Sequence, residues 1–242
     1  MSIIQFHKSS CLEFIRTLPD KSVDVAIFDP PYDEKTHDGA LNAEDIDFTP
    51  IVDFEHVTEA LRVTRRWVLC FCALEQLGAY QAKAGDAWIR AGIWVRHSGP
   101  QKTGDRPGQA AEGIAIMHSE GKKKWNGGGK AAIWNHPIEP SKGRLHPTQK
   151  PVGLMEMLIR DFTEHGETVL DCFAGSGSTG VAAVGLGRLF VGCEETEKYF
   201  KIATRRLSAC HEQLSIRLEP PRKPLTKAKQ LSFKPEAQHE SK

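Results

Sequence analysis

The stretch Asp29-Pro30-Pro31-Tyr32 constrains this chain more tightly than any other. The apolar run before it, Val23–Phe28, reads as a buried β-strand. Two consecutive prolines offer no backbone N–H to a sheet ladder, so the strand must end at Asp29. The tetrapeptide then stands at the carboxyl end of a strand, where open α/β sheets hold their ligands. Its parts are a carboxylate, a rigid turn with outward carbonyls and an aromatic face. Asp29 and the Pro30 carbonyl can accept both protons of an amino group while Tyr32 stacks on the ring that carries it. Asp-Pro also marks ordinary turns, so the reading leans on a second stretch, Asp171-Cys172-Phe173-Ala174-Gly175-Ser176-Gly177.

Gly175-x-Gly177-x-x-Gly180 lies between an expected strand at 168–170 and an expected helix at 178–186, which matches the dinucleotide-binding fingerprint. Glycines there let the backbone approach a ligand at a helix N-terminus. Glu194, at the end of the next strand (189–193), is placed to hold ribose hydroxyls. A nicotinamide dehydrogenase fits this motif taken alone. Asp171 argues otherwise, because a carboxylate before the turn suits a cationic amino group better than an anionic pyrophosphate. Only one strand follows the motif, so the sheet must recruit strands from the N-terminal half, residues 3–7 and 23–28 among them. The expected fold is therefore a doubly wound, mostly parallel α/β sheet with the Asp29 and Gly175 turns side by side at its carboxyl edge.

The rest of the chain fits that plan. Helices are expected at 11–18, 51–63 (Val52, His56, Ala60 and Val63 near one face), 74–84, 152–165 and 198–214, and strands at 67–72 and 93–95. Residues 33–50, acidic and rich in turn formers, read as a mobile loop over the site. Between about 97 and 145 glycine and proline recur and only 113–118 looks like a strand, so this range reads as an insertion in a single domain spanning 1–219. From Pro220 six basic residues face two acidic ones, and the tail 220–242 is expected to be disordered. The net charge of +1, from 32 basic and 31 acidic residues, selects no partner by itself. No apolar run approaches the ~20 residues a membrane span needs, and the N-terminus lacks the pattern of a secretory signal. Six cysteines without a Cys-x-x-Cys pair read as buried thiols of a cytoplasmic protein. The ten histidines lack metal-ligand spacing, so no metal site is expected.

Three stretches, Asp29–Tyr32, His146-Pro147-Thr148-Gln149-Lys150-Pro151, and 171–177 followed by Gly192-Cys193-Glu194 and Tyr199, together resemble the amino-group DNA methyltransferases, in the permuted subclass where the catalytic motif precedes the cofactor motif. Leu18-Pro19-Asp20-Lys21-Ser22-Val23-Asp24 is similar to the family as well, whereas Ser10 before Cys11 departs from it. The resemblance implies S-adenosylmethionine as cofactor, a base flipped out of double-stranded DNA, and in-line attack of its exocyclic amino group on the methyl. It casts Asp29, Pro30, Pro31 and Tyr32 as catalytic. Asp171, Phe173, Ala174, Gly175, Gly177 and Glu194 would hold the cofactor, with Thr148 and Lys150 near its methionine end. Asp at the first position resembles adenine-N6 enzymes and Ser cytosine-N4 enzymes, so adenine N6 is the expected target and cytosine N4 the alternative. In the irregular range, Arg96, Lys102, Arg106, Lys122, Lys123, Lys124 and Trp125 are the expected DNA contacts. A non-catalytic DNA-binding protein of this fold is the rival from another class. The resemblance also admits a homodimer and a cognate restriction nuclease as partners.

Overall fold

The computed structural model describes residues 3–32, 53–96 and 108–218. The expected loop at 33–50, Lys102, Arg106 and the basic tail lie outside the described residues. Within them one sheet contains β1 (Ile4–Lys8), β2 (Val23–Phe28), β3 (Thr64–Cys72), β4 (Trp88–Val95), β5 (Ala111–His118), β6 (Ile133–Asn135), β7 (Thr168–Asp171) and β8 (Leu189–Glu194). Their spatial order is β1-β8-β7-β2-β3-β5-β4-β6. Only β5 opposes its neighbours, β3 and β4; the other pairs are parallel.

The strands are apolar runs because helices cover both faces of the sheet. On one side α1 (Cys11–Thr17), α2 (Glu55–Val63) and α3 (Leu77–Ala84) bury Phe14, Ile15, Val57, Ala60 and Tyr80 against Ala26, Phe28, Val68 and Cys70. On the other, α4 (Val152–Phe162), α5 (Ser178–Gly185) and α6 (Glu197–Leu218) bury Leu154, Leu158, Ala183 and Leu207 against Val25, Ile27, Leu69 and Phe190. Ser10 is the N-cap of α1, and its hydroxyl donates to Glu13 at 2.7 Å. Arg62 of α2 closes the other end of that helix: Nη2 donates to the Ile15 carbonyl at 3.0 Å and Nη1 to that of Leu18 at 2.9 Å. All six cysteines carry free thiols, five of them buried. No helix among the described residues is long and apolar enough to cross a membrane.

The sheet turns at the β2–β7 boundary. From β7 the chain leaves through α5 to β8, away from β2; from β2 it leaves toward β3 on the other side. β2 and β7 pair directly, Val25 with Val169 and Ala26 with Leu170. Their carboxyl ends therefore open the crevice in which such sheets place ligands. Part of the range expected as an insertion belongs to the sheet: β5 lies between β3 and β4, and β6 closes the edge beyond β4.

One close approach at this boundary is a stringent packing constraint. Gly192 of β8 sits opposite Asp171 of β7, and a Cβ there would lie 2.5 Å from the Asp171 carbonyl oxygen and 2.7 Å from the Phe190 ring. Backbone cannot yield as a side-chain tip can. Gly192→Ala should therefore cost about 1–3 kcal/mol and lower Tm by several degrees; thermal unfolding that stays within a degree of wild type would contradict this packing.

Candidate active site

Pro30 is buried and ends β2, which leaves the Asp29 carboxylate and the Tyr32 ring half-buried at the carboxyl edge of the sheet. Tyr32 Oη lies 3.1 Å from Asp29 Oδ1 and 2.9 Å from Glu112 Oε2 and shares its one proton between these two acceptors. Lys150 reaches the same turn from the segment that leads into α4, its Nζ 2.6 Å from Asp29 Oδ1 and 3.2 Å from Glu112 Oε2. Arg96 Nη1 takes the other oxygen of Glu112 at 3.0 Å. Burial raises the Asp29 pKa above the usual carboxylate range, and Lys150 opposes that shift only in part. Burial works to lower the Lys150 pKa, but Asp29 and Glu112 outweigh it and hold the ammonium charged. Burial also pushes up Glu112, yet Lys150 and Arg96 prevail, and its pKa lies below the usual value.

The second turn starts one strand away. Asp171 is buried, and its Oδ1 accepts the Phe173 N–H at 2.9 Å. Burial lifts its pKa to about 7, against the hydrogen bonds from Thr179 and the Phe173 N–H. Gly175 and Gly177 have φ of +52° and +84°, a conformation that favours glycine. A Cβ on Gly177 would also meet the Ala203 Cβ at 3.0 Å. Arg206 of α6 ties the turn down, donating to the Ser176 carbonyl at 2.6 Å. Glu194 ends β8 with Oε2 accepting from the Gly175 N–H and Oε1 from the Thr196 N–H, both at 2.8 Å. The Phe173 ring packs edge-on against Phe28 and His56, at 5.6 and 5.8 Å between centroids. Ala174 is buried, its N–H on the Cys193 carbonyl.

The segment 146–150 closes the space between the two turns. His146 lies edge-on to Tyr199 at 4.1 Å and is the nearest side chain to a Cβ built on Gly175. Its Nδ1 stands 3.2 Å from both the N–H and the hydroxyl of Thr148. The structure therefore gathers Asp29, Tyr32, Lys150, Asp171, the glycine turn and Glu194 at one edge. Lys150, expected near the methionine end of a cofactor, pairs with Asp29 and Glu112 in this structure.

Of the described residues expected on DNA, Arg96 lies at this edge and Lys122–Trp125 lie at the opposite one. Arg96 is spent on Glu112 and, through Nη2, on the Gln109 carbonyl at 2.6 Å. Because β5 runs antiparallel, His118 pairs with Trp67 near the amino end of β3, and the chain emerges at the edge opposite Asp29. Lys122, Lys123 and Lys124 are exposed there, with Lys124 Nζ 3.2 Å from Glu164. Trp125 is no free wedge: its ring packs edge-on to Phe162 at 4.9 Å, and its indole N–H donates to the Gly128 carbonyl at 2.8 Å. Sequence reasoning missed Glu112, although an acidic residue opening the apolar run 113–118 was a usable signal.

Comparison with known proteins fits this geometry. Residues 23–205, more than half of the chain, match the N6/N4 methyltransferase family described as DNA methylase, and the chain belongs to that family. It is 27% identical over 265 residues to the type II methyltransferase M.HinfI of Haemophilus influenzae, covering 90% of this chain and 74% of that protein. A shorter stretch of 67 residues is 51% identical to the type II methyltransferase M2.DpnII of Streptococcus pneumoniae, covering 28% of this chain and 25% of the other. Among solved structures, the M1.HpyAVI–SAM complex superposes with a TM-score of 0.64 at 26% identity, covering 84% of this chain and all of the other. The cytosine-N4-specific PvuII DNA methyltransferase superposes at 0.67 with 15% identity over 88% and 93% of the two chains, a likeness of fold alone.

Two buried histidines make the electrostatics of this edge measurable. Burial lowers the pKa of both His146 and His56 from 6.5 to about 4. The unfolded chain binds protons at these sites between pH 6.5 and 4 while the folded chain does not. Their contribution to stability is thus complete above that window and is lost as pH falls through it. Imidazole NMR signals of both residues should stay at neutral positions down to about pH 5; a midpoint near the ordinary value for either would contradict the burial.

Proposed function

We propose that this protein transfers a methyl group from S-adenosylmethionine to the N6 amino group of adenine in double-stranded DNA, as a member of the subclass whose catalytic turn precedes its cofactor turn. The observation that carries the reading is the pairing of β2 with β7, which stands the Asp29-Pro30-Pro31-Tyr32 turn beside the Asp171–Gly177 turn. The donor set suits the cofactor: Asp171, buried at the crevice, for its amino group, Glu194 for its ribose hydroxyls, and a left-handed glycine turn for close backbone approach. When bound, S-adenosylmethionine supplies an electrophilic methyl on a positively charged sulfur.

The chain supplies the acceptors for the amino group. Its lone pair is delocalised into the ring, and hydrogen bonds from both N–H groups to Asp29 and the Pro30 carbonyl favour a pyramidal nitrogen able to attack. Asp29 then takes the proton that nitrogen must lose once it is methylated. Positioning and electrostatics account for the rate, so no covalent enzyme nucleophile is required. The buried thiol Cys172 suits no such role, because burial and its thiol neighbours raise its pKa well above the usual range. The amino group cannot reach Asp29 from within a stacked duplex, so the base must leave the helix and lie against Tyr32. Asp at position 29, rather than Ser, favours adenine. Nucleoside mass spectrometry of DNA methylated in vitro should find N6-methyladenine; N4-methylcytosine alone would overturn the base and leave the fold standing.

Two substitutions separate chemistry from binding. Asp29→Ala should keep most of the cofactor affinity while methyl transfer falls by orders of magnitude, and full activity in that variant would refute the mechanism. Asp171→Asn should weaken cofactor binding first. Because the Asp171 pKa is raised to about 7, the carboxyl is neutral below that pH and ionised above it. An ammonium binds the ionised form, so calorimetry should show wild-type affinity for S-adenosylmethionine increasing from about pH 6 to pH 8, with the Asn variant nearly flat. The same shift makes the folded state the stronger proton binder between pH 3.8 and about 7, so Asp171 lowers stability as pH rises through that window.

A further inference from the structure

The Lys150 ammonium lies in a closed setting. Beyond Asp29 and Glu112, it stands 3.4 Å from the Tyr32 hydroxyl and 5.0, 5.4 and 5.8 Å from the ring centroids of Phe71, Tyr32 and Trp94. Its side chain is 7% exposed. Buried charges persist only where partners with good geometry offset their desolvation. Here the formal charges of Asp29, Glu112, Lys150 and Arg96 cancel. The division of Asp29's two oxygens is informative. Oδ1 receives both Lys150 and Tyr32, whereas among the described residues Oδ2 has no hydrogen-bond donor.

We propose that Lys150 and Glu112 are positioning residues for methyl transfer: Lys150 and the Tyr32 hydroxyl clamp Oδ1 of Asp29, Glu112 holds both clamps in place, and Oδ2 is left to accept from the target amino group. The proposal rests on the reading of Asp29 as that acceptor, and it gives Lys150 a task other than holding the cofactor. A carboxylate free to rotate would offer either oxygen, or neither, to the incoming base. One held at Oδ1 by two donors presents a single acceptor in one direction, which is the kind of preorganisation that in-line transfer requires.

The clamp also sets the charge around Asp29. The groups facing it are Lys150 and Glu112, Tyr32 on its own turn, Asp171 on β7, Cys72 on β3 and Tyr80 on α3. Tyr32, Cys72 and Tyr80 all have pKa values raised by burial and stay neutral through the working range. Saturating cofactor removes the titration of Asp171 from the rate of the chemical step. Lys150 then favours the ionised form of Asp29, and Glu112 disfavours it. Loss of each partner should move the acidic limb of the pH–rate profile in opposite directions, which a purely structural role would not do.

The experiment measures single-turnover methylation of unmethylated plasmid DNA with tritiated S-adenosylmethionine at saturation, across about pH 5 to 9. Lys150→Met should slow transfer by about 10²-fold, keep calorimetric cofactor affinity near wild type, and move the acidic limb to higher pH. Lys150→Arg should recover part of the rate. Glu112→Gln should slow transfer less and move the limb to lower pH. Should Lys150→Met fail to fold, Glu112→Gln decides alone, since an unmoved or upward-moved limb overturns the clamp. An unchanged rate in Lys150→Met overturns it too. So does a loss confined to cofactor affinity, which would return Lys150 to the cofactor. The identity of the base is judged separately, by which nucleoside carries tritium in the wild type.

Discussion

The pairing of β2 with β7 is the constraint on which the site depends. Neither strand carries chemistry in its interior: Val25, Ala26, Val169 and Leu170 are fully buried and only fix the register. Yet that register decides that Asp29 and Asp171, far apart in sequence, emerge at one edge. Both strands are apolar on their two faces because α1–α3 and α4–α6 cover the sheet from opposite sides. A parallel ladder between such strands has no solvent-facing side on which to slip. Precision at the carboxyl ends is thus inherited from packing several residues away.

The two carboxylates at this edge are treated differently, and the difference matches the tasks proposed for them. Asp29 is compensated inside the protein by Lys150, while Asp171 is met by an amide and a hydroxyl, with no Lys or Arg paired to it among the described residues. A buried carboxyl without a cation keeps its proton to about pH 7. That leaves it short of positive charge, which a cationic ligand can supply. Asp29 has its own cation, and on the proposed function it accepts a hydrogen bond from a neutral amino group. On that proposed function, the same residue type next door serves binding in one case and chemistry in the other.

Much of this was legible in the sequence where the constraint is local. Pro30-Pro31 stops a strand whatever surrounds it, and Gly175 and Gly177 mark left-handed turns that the structure contains. Features that depend on distant partners were harder to read. β4 starts at Trp88, well before the expected 93–95, because Arg90 and Gly92 interrupt its apolar pattern while its ladder with β5 continues. β6 is three residues long and buries only Trp134. α4 stops at Phe162, where the Thr163 hydroxyl turns back onto the Ile159 carbonyl. Lys122–Trp125 looked like a nucleic-acid segment by composition, but the reversed direction of β5 carries it to the far edge. Strand direction is a property of the whole sheet, and no local pattern of charge reports it.

That reversal bears on where DNA can meet a methylase of this shape. The amino edge is laced shut: Arg66 pairs with Glu167, the Trp67 indole donates to the Lys124 carbonyl, and the Asn126 amide donates to the Arg160 and Thr163 carbonyls. At the carboxyl edge the cations nearest Asp29, Lys150 and Arg96, are consumed by interior carboxylates. A guanidinium bound to Glu112 and a backbone carbonyl has little left for a phosphate. The cost of keeping Asp29 ionised and oriented in a half-buried site is therefore that its neighbouring cations are withdrawn from the surface. On the proposed function, the cations that orient the Asp29 carboxylate are thus not the ones left to meet the DNA backbone.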